Sequence, residues 1–288
     1  MLQSGSKSNT NVAMSKIKQK KVLVTGGASG IGLLMGKMAL SQGASHLIIW
    51  DVNEALLADT VASLAGEGFE VIGQKVDVSD SASVAAAAAV CAEKGMLPDI
   101  LILNAGVVSG KYFHEHIGNE IEKTIGVNVL GVMHTARVFL PAMIERGSGH
   151  LVTIASAAGM LSNPKMAVYA ASKWAAYGWS ESVRLEMEQL KTGVKVTTVT
   201  PSYIGTGMFA GVKTNLVIPE LRPEKAAKAV INGILRNKIF VRMPFMVYTI
   251  PFVKGILPVR WFDLFVGKGL GVYHSMANFK GRTSKLLN

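Results

Sequence analysis

A single cysteine, Cys91, stands among 288 residues. A lone thiol excludes an internal disulfide framework and a cysteine-built zinc site. It fits a reducing, cytosol-facing compartment. Proline is scarce at nine residues, against 30 glycines that follow no collagen-like period. Charged residues make up 17% and hydrophobic residues 49%, which excludes a disordered chain. Histidines 114, 116, 134, 150 and 274 lack metal-ligand spacing, so no metal site is expected. Long apolar runs are missing near the C-terminus: the charge-free stretch 243–253 is about half the ~20 residues a spanning helix needs. The first residues are polar and hold no signal-peptide core.

Charge of one sign is missing from the two ends. Residues 1–21 carry five lysines and no acid, and residues 222–288 carry 12 basic and two acidic residues. Between them lie 13 basic and 17 acidic residues, a mildly acidic body. Basic ends attract nucleic acid or anionic lipid. No nucleic-acid partner is expected.

What is present is a regular alternation. Short apolar runs at 21–25, 46–50, 70–75, 100–103, 150–154, 194–200 and 239–242 read as strands. They lack polar–apolar alternation, as strands do when helices cover both faces of a sheet. Helix-like stretches such as 32–42, 54–65, 81–94 and 168–189 lie between them. The pattern predicts an α/β protein: a Rossmann-type, doubly wound, parallel seven-stranded sheet with helices on both faces. Residues 1–19 read as a disordered basic arm, 20–242 as one domain, and 243–288 as an apolar and basic extension broken by Pro244, Pro251 and Pro258.

The segment Thr25-Gly26-Gly27-Ala28-Ser29-Gly30-Ile31-Gly32 follows a strand and opens a helix. Glycines let backbone approach a pyrophosphate, and a helix N-terminus offers free N–H donors and a positive dipole end. Such a turn also serves plain strand–helix packing. Asp51 ends the second strand, where a carboxylate accepts from both adenosine ribose hydroxyls and repels a 2′-phosphate, favouring NAD(H) over NADP(H). Asp77 and Val78, after the third strand, suit the adenine edge, though an aspartate there also reads as a helix cap.

Tyr169 and Lys173 lie four apart, on one face of a predicted helix. A phenol is a poor base near neutrality, and a neighbouring cation lowers its pKa enough to exchange a proton with an alcohol or carbonyl oxygen. Ser156 follows the fifth strand at the ligand-binding edge, suited to hold the same oxygen. Asn128 is a buried amide candidate that a water would link to Lys173.

Together these motifs, with Asn104-Ala105-Gly106 and Pro201, resemble the short-chain dehydrogenase/reductase family over roughly residues 20–245. The resemblance implies a catalytic tetrad of Asn128, Ser156, Tyr169 and Lys173. It implies cofactor contacts at Thr25, Gly26, Ser29, Gly30, Ile31, Gly32, Asp51, Asp77, Val78, Asn104, Ala105, Gly106, Tyr169, Lys173, Pro201, Ile204 and Thr206. Thr206 would meet the nicotinamide carboxamide. One departure is Pro201-Ser202, where the family usually has Pro-Gly.

Residues 239–266 are dense in Phe, Met, Leu, Val and Trp with interspersed cations, which suits a segment lying on a membrane. A pocket lid or a dimer interface would look the same. The tail at 265–282 resembles the membrane- or lipid-droplet-associated retinol and hydroxysteroid dehydrogenases of that family. It implies a lipophilic alcohol or carbonyl substrate, a homodimer or tetramer, and a cytoplasmic enzyme in peripheral membrane contact, because residues 1–19 are polar where that subgroup carries an anchor. The alternatives are a reductase of small ketones or acyl thioesters, and a lipid-surface scaffold with vestigial cofactor binding.

Overall fold

The computed structural model describes residues 16–215 and 219–281. Its frame is a seven-stranded parallel sheet in the order β3-β2-β1-β4-β5-β6-β7. The strands are β1 Lys21–Thr25, β2 His46–Asp51, β3 Val71–Lys75, β4 Ile100–Leu103, β5 Gly149–Ile154, β6 Val194–Pro201 and β7 Phe240–Met243. Every strand expected from the apolar runs is present, with ends within about a residue of the sequence reading.

Unbroken apolar strands feed two cores at once, because successive side chains point to opposite faces. Val22 and Val24, Leu47 and Ile49, Ile100 and Ile102 join one core. Leu23, Ile48, Trp50, Leu101 and Leu103 join the other. The first core is closed by α1 Gly30–Ser41, α2 Glu54–Gly66 and α7 Pro223–Leu235. The second is closed by α3 Ser81–Glu93, α5 Gly131–Glu145 and α6 Ala167–Gln189.

Helix α4, Glu120–Ile125, runs into α5 through a π turn, Gly126–Leu130. The continuous stretch Glu120–Glu145 is long and apolar enough to cross a membrane by length and composition. Here Val132, Ala136, Phe139 and Met143 pack it against the sheet as a core helix. Beyond β7 the chain forms short pieces, including α8 Ile250–Ile256, which has Pro251 in its first turn, and α9 Val259–Phe262, which follows Pro258.

The boundary of the expected arm is corrected at its inner end. Residues 1–15 lie outside the described residues, but Ile17 is 1% exposed and belongs to the first core. Gln19 N–H donates to the Gly43 carbonyl at 2.7 Å. A polar, lysine-rich context hid one apolar side chain with a place in the interior.

Ile17→Ala is therefore expected to lower stability by roughly 2–4 kcal/mol in urea unfolding, the cost of emptying a buried isoleucine site. A change below about half a kcal/mol would mean that Ile17 is not part of the core.

Candidate active site

The chain order places a crevice at the carboxyl ends of β1 and β4, where the winding of the sheet reverses direction. Thr25 ends β1, and its hydroxyl accepts from the N–H groups of Asn104 and Ala105 at 3.0 and 3.1 Å. The Asn104 amide donates to the carbonyls of Thr25 and Gly26, both at 3.0 Å. These bonds pin the glycine turn to the loop after β4. Thr25 is buried and supports the cleft from beneath; its hydroxyl oxygen accepts both of these bonds, and its O–H remains to donate.

The turn needs its glycines for two different reasons. Gly26 and Gly30 have φ of 61° and 57°, in the left-handed region. A Cβ on Gly32 would lie 2.2 Å from the Gly26 carbonyl oxygen, so helix α1 could not start this close to the turn. Ser29 is the N-cap of α1, and its side chain accepts no bond from the first turn. The first-turn donors of α1 are thus left for a ligand.

Asp51 accepts from Ala28 N–H through one oxygen and from Asn53 N–H through the other, both at 3.1 Å. Its carboxylate stands beside the glycine turn, with lone pairs remaining on both oxygens. Asp77 accepts from the Ser79 N–H and hydroxyl at 2.9 and 2.6 Å. The cap of α3 is Asp80, not Asp77. The Val78 side chain is buried in the second core, so only its backbone can face a ligand.

Asn128 sits in the π turn, which turns its amide inward out of an apolar helix. Its Oδ1 accepts from Val107 N–H at 2.8 Å, and its Nδ2 donates to the Val107 carbonyl and the Ser172 hydroxyl, both at 2.9 Å. The amide clamps the loop after β4 to α6. Lys173 Nζ donates instead to the Ile154 carbonyl at 2.9 Å. A Cβ on Gly106 would lie 3.3 Å from Asn128 Oδ1 and 3.6 Å from Lys173 Nζ, so both groups face that glycine.

Ser156 begins a 3₁₀ turn, Ala157–Gly159, after β5. Its hydroxyl accepts from Ala158 N–H at 3.1 Å and stands in hydrogen-bonding relation to the Tyr169 phenol. A Cβ on Gly159 would lie 2.6 Å from the Lys173 carbonyl oxygen, so this turn packs directly on α6. Tyr169 and Lys173 lie on the buried face of α6, and Lys173 Nζ is 5.8 Å from the Tyr169 ring centre.

Burial governs both titrations. The Tyr169 phenol is pushed up to about 12 by desolvation, with the Ser156 hydrogen bond opposing and the nearby Tyr203 phenol adding to the rise. Lys173 is pushed down to about 8 by desolvation. The expected depression of the phenol by its lysine is not what this arrangement gives. Loss of water is the largest cause of that rise.

A cavity of about 50 Å³ adjoins Ser156, and Met166, Ser202, Tyr203, Phe209 and Val272 help to line it. Sequence reasoning named none of these five as contacts, and only the Pro-Ser departure drew attention to Ser202. Ser202 Oγ is buried without a protein partner. Pro201 and Ile204 form the backbone on which this wall is built; Ile204 bridges to Leu221. Thr206 stands opposite Gly30, whose Cβ would meet it at 3.7 Å. The uncapped turn of α1 and the orphaned Ser202 hydroxyl fit a dinucleotide lying along the crevice.

This sheet, turn and buried Tyr–Lys pair define a dinucleotide-type oxidoreductase. The sequence profile of the family described as short chain dehydrogenase matches residues 20–216. The chain belongs to that family, whose members bind a nicotinamide cofactor. Epidermal retinol dehydrogenase 2 of Homo sapiens is 36% identical over 269 residues, covering 92% of this chain and 86% of that protein. Estradiol 17-beta-dehydrogenase 11 of Homo sapiens is 37% identical over 242 residues, covering 83% and 80%. A crystal structure of a short chain dehydrogenase/reductase from Burkholderia phymatum in complex with NAD superposes with a TM-score of 0.76 at 28% identity, covering 88% of this chain and 97% of that one. The protein is thus an oxidoreductase related to retinol and steroid dehydrogenases.

The titration of Lys173 has a consequence for stability. Below about pH 8 the folded protein holds a buried ammonium that the unfolded chain would solvate, and the cost fades as pH rises from about 8 towards 10.5. Lys173→Met is expected to raise the unfolding free energy at pH 7 by on the order of 2 kcal/mol. The gain should shrink at pH 10, and turnover should be lost. Urea unfolding at both pH values checks this; a destabilised variant at pH 7 would contradict it.

Proposed function

We propose that the protein is an NAD(H)-dependent oxidoreductase that interconverts an alcohol and a carbonyl on a lipophilic, retinoid- or steroid-like substrate. Tyr169 is its general acid and base. The observation that carries the reading is the convergence of Ser156, Tyr169 and Lys173 on one buried wall beside the glycine-turn crevice. The substrate class follows from the apolar cavity wall and from the retinol and estradiol dehydrogenases that the chain resembles.

When bound, the nicotinamide cofactor supplies the hydride acceptor or donor. Residues of the glycine turn and the first turn of α1 would hold its phosphates, Asp51 its adenosine ribose, and Lys173 and Thr206 its nicotinamide end. Ser156 holds the substrate oxygen. In oxidation Tyr169 takes the alcohol proton; in reduction it returns one to the carbonyl oxygen. Asn128 fixes the loop and helix that carry these groups, because its amide is spent on Val107 and Ser172. Lys173 lends the developing phenolate a cation in a low-dielectric site, where its influence exceeds that in water. The Asp51 carboxylate would repel a 2′-phosphate, which favours NAD(H).

The surface supports a lipid encounter. Phe245, Phe252, Ile256, Val259, Trp261 and Phe265 are exposed on the segment after β7, with Phe252 at 70% and Trp261 at 56%. Lys254, Arg260 and Lys268 lie among them. Apolar side chains rimmed by cations suit peripheral contact with an anionic membrane or droplet surface, by an otherwise cytoplasmic protein. A homodimer through α4–α5 and α6 would cover Leu130, Ile144 and Leu185, which are exposed on those helices.

Tyr169→Phe is expected to cut turnover of a retinoid or steroid alcohol by at least roughly a hundredfold while NADH still binds, read by quenching of protein fluorescence. Unchanged turnover would remove Tyr169 from the chemistry and leave the scaffold reading. The same assay run with NADP should give lower kcat/KM than with NAD.

Phe252→Ser combined with Trp261→Ser should release the protein from phosphatidylcholine vesicles containing phosphatidylserine in a flotation assay. Equal flotation of both forms would show that this surface does not carry lipid binding.

A further inference from the structure

The cavity that adjoins Ser156, the residue assigned to hold the substrate oxygen, is only about 50 Å³. Sites for drug-sized ligands run to roughly 300–1,000 Å³, so a bulky alcohol does not fit it as it stands. Two segments close it: the loop 202–215, which supplies Tyr203 and Phe209, and the tail 270–281, which supplies Val272. Beneath the tail, Met276 packs in one buried cluster with Tyr169, Ala158 and Met166.

Loop and tail are joined to each other through their backbones. Lys213 N–H donates to the Ser275 carbonyl and Lys280 N–H to the Ala210 carbonyl, both at 2.9 Å. A side-chain knot then ties both to the body of the protein. The Asn163 amide donates to the Tyr203 hydroxyl at 3.1 Å and to the Ser275 hydroxyl at 3.0 Å, and those two hydroxyls are 2.8 Å apart. Ser275 is buried, so each bond lost there leaves a polar group without water to replace it.

We propose that Asn163, Tyr203 and Ser275 form a clasp that sets the size of the substrate cavity. Asn163, in the segment between β5 and α6, holds loop and tail closed over Tyr169. The clasp must part before a bulky apolar alcohol reaches the phenol. This rests on the reading of Tyr169 as the proton-exchanging group. A bulky substrate binds only the parted fraction of molecules, so its KM is raised by the inverse of that fraction, whereas a short alcohol that fits the closed cavity escapes the penalty.

The test uses the full chain carrying Ser275→Ala. Amide hydrogen exchange within 270–281 should accelerate roughly three- to tenfold, the range that one neutral hydrogen bond supports. The KM of a retinoid or steroid alcohol should fall by a similar factor, while that of a short secondary alcohol stays unchanged. Tyr203→Phe, which keeps the ring and removes only the hydroxyl, should raise exchange in the same segment. Unchanged exchange in both variants overturns the clasp, and so does an equal change in KM for long and short alcohols. Exchange is read without substrate. A chain that oxidised no alcohol would refute the oxidoreductase reading, while exchange would still decide the clasp.

Discussion

All seven strands point the same way, so their carboxyl ends crowd one edge and leave backbone groups there that no neighbouring strand can satisfy. The polar residues of the edge answer that need first. Thr25 accepts from the loop after β4, Asn104 donates to the glycine turn, Asp51 holds the turn from the other side, and Asn128 clamps Val107. Each of these looks like a ligand contact in the sequence, and each is already part of an internal network. The cleft is what remains between these braces. Its free donors and acceptors are the uncapped turn of α1, the spare lone pairs of Asp51 and the unpartnered Ser202 hydroxyl.

The same edge explains the electrostatics of the Tyr169–Lys173 pair. Helix α6 is pressed against the sheet and against the 3₁₀ turn after β5, which puts Tyr169 and Lys173 out of reach of water. Burial opposes the charged form of each, so the proton stays on the phenol and the ammonium is destabilised. A phenol in that state is held neutral and gives up its proton less readily than it would in water. To act as a base it needs positive charge arriving in the same dry space. There the interaction is strong because so little water screens it.

The sheet was legible in the sequence because a parallel strand buried on both faces is a short apolar run, and that signal is local. The glycine turn and the Tyr–Lys spacing were legible for the same reason. What local pattern could not show is contact between distant segments. Asn163 and Ser275 are separated by 112 residues and Tyr203 and Ser275 by 72, with nothing in either neighbourhood to announce the pairing. Nor could spacing reveal that a nearby lysine would fail to lower the phenol, since that depends on how deeply both groups are buried. Ile17 was hidden for a related reason, as one apolar residue among lysines gives no periodicity to read.

The segment after β7 shows why composition alone left its role open. Val247, Phe262, Val272 and Met276 are buried, while Phe245, Phe252, Trp261 and Phe265 face outward. Both sets are apolar, so the contrast of polar and apolar faces that marks an ordinary surface helix is absent. The buried and the outward-facing apolar side chains thus fall on different residues of one segment. Lys254 links the two, because its ammonium donates to the Met160 carbonyl beside the catalytic turn and lies 4.4 Å from the Trp174 ring centre. Helix α8 is thereby anchored next to the 3₁₀ turn after β5 while its one aromatic residue, Phe252, remains outside.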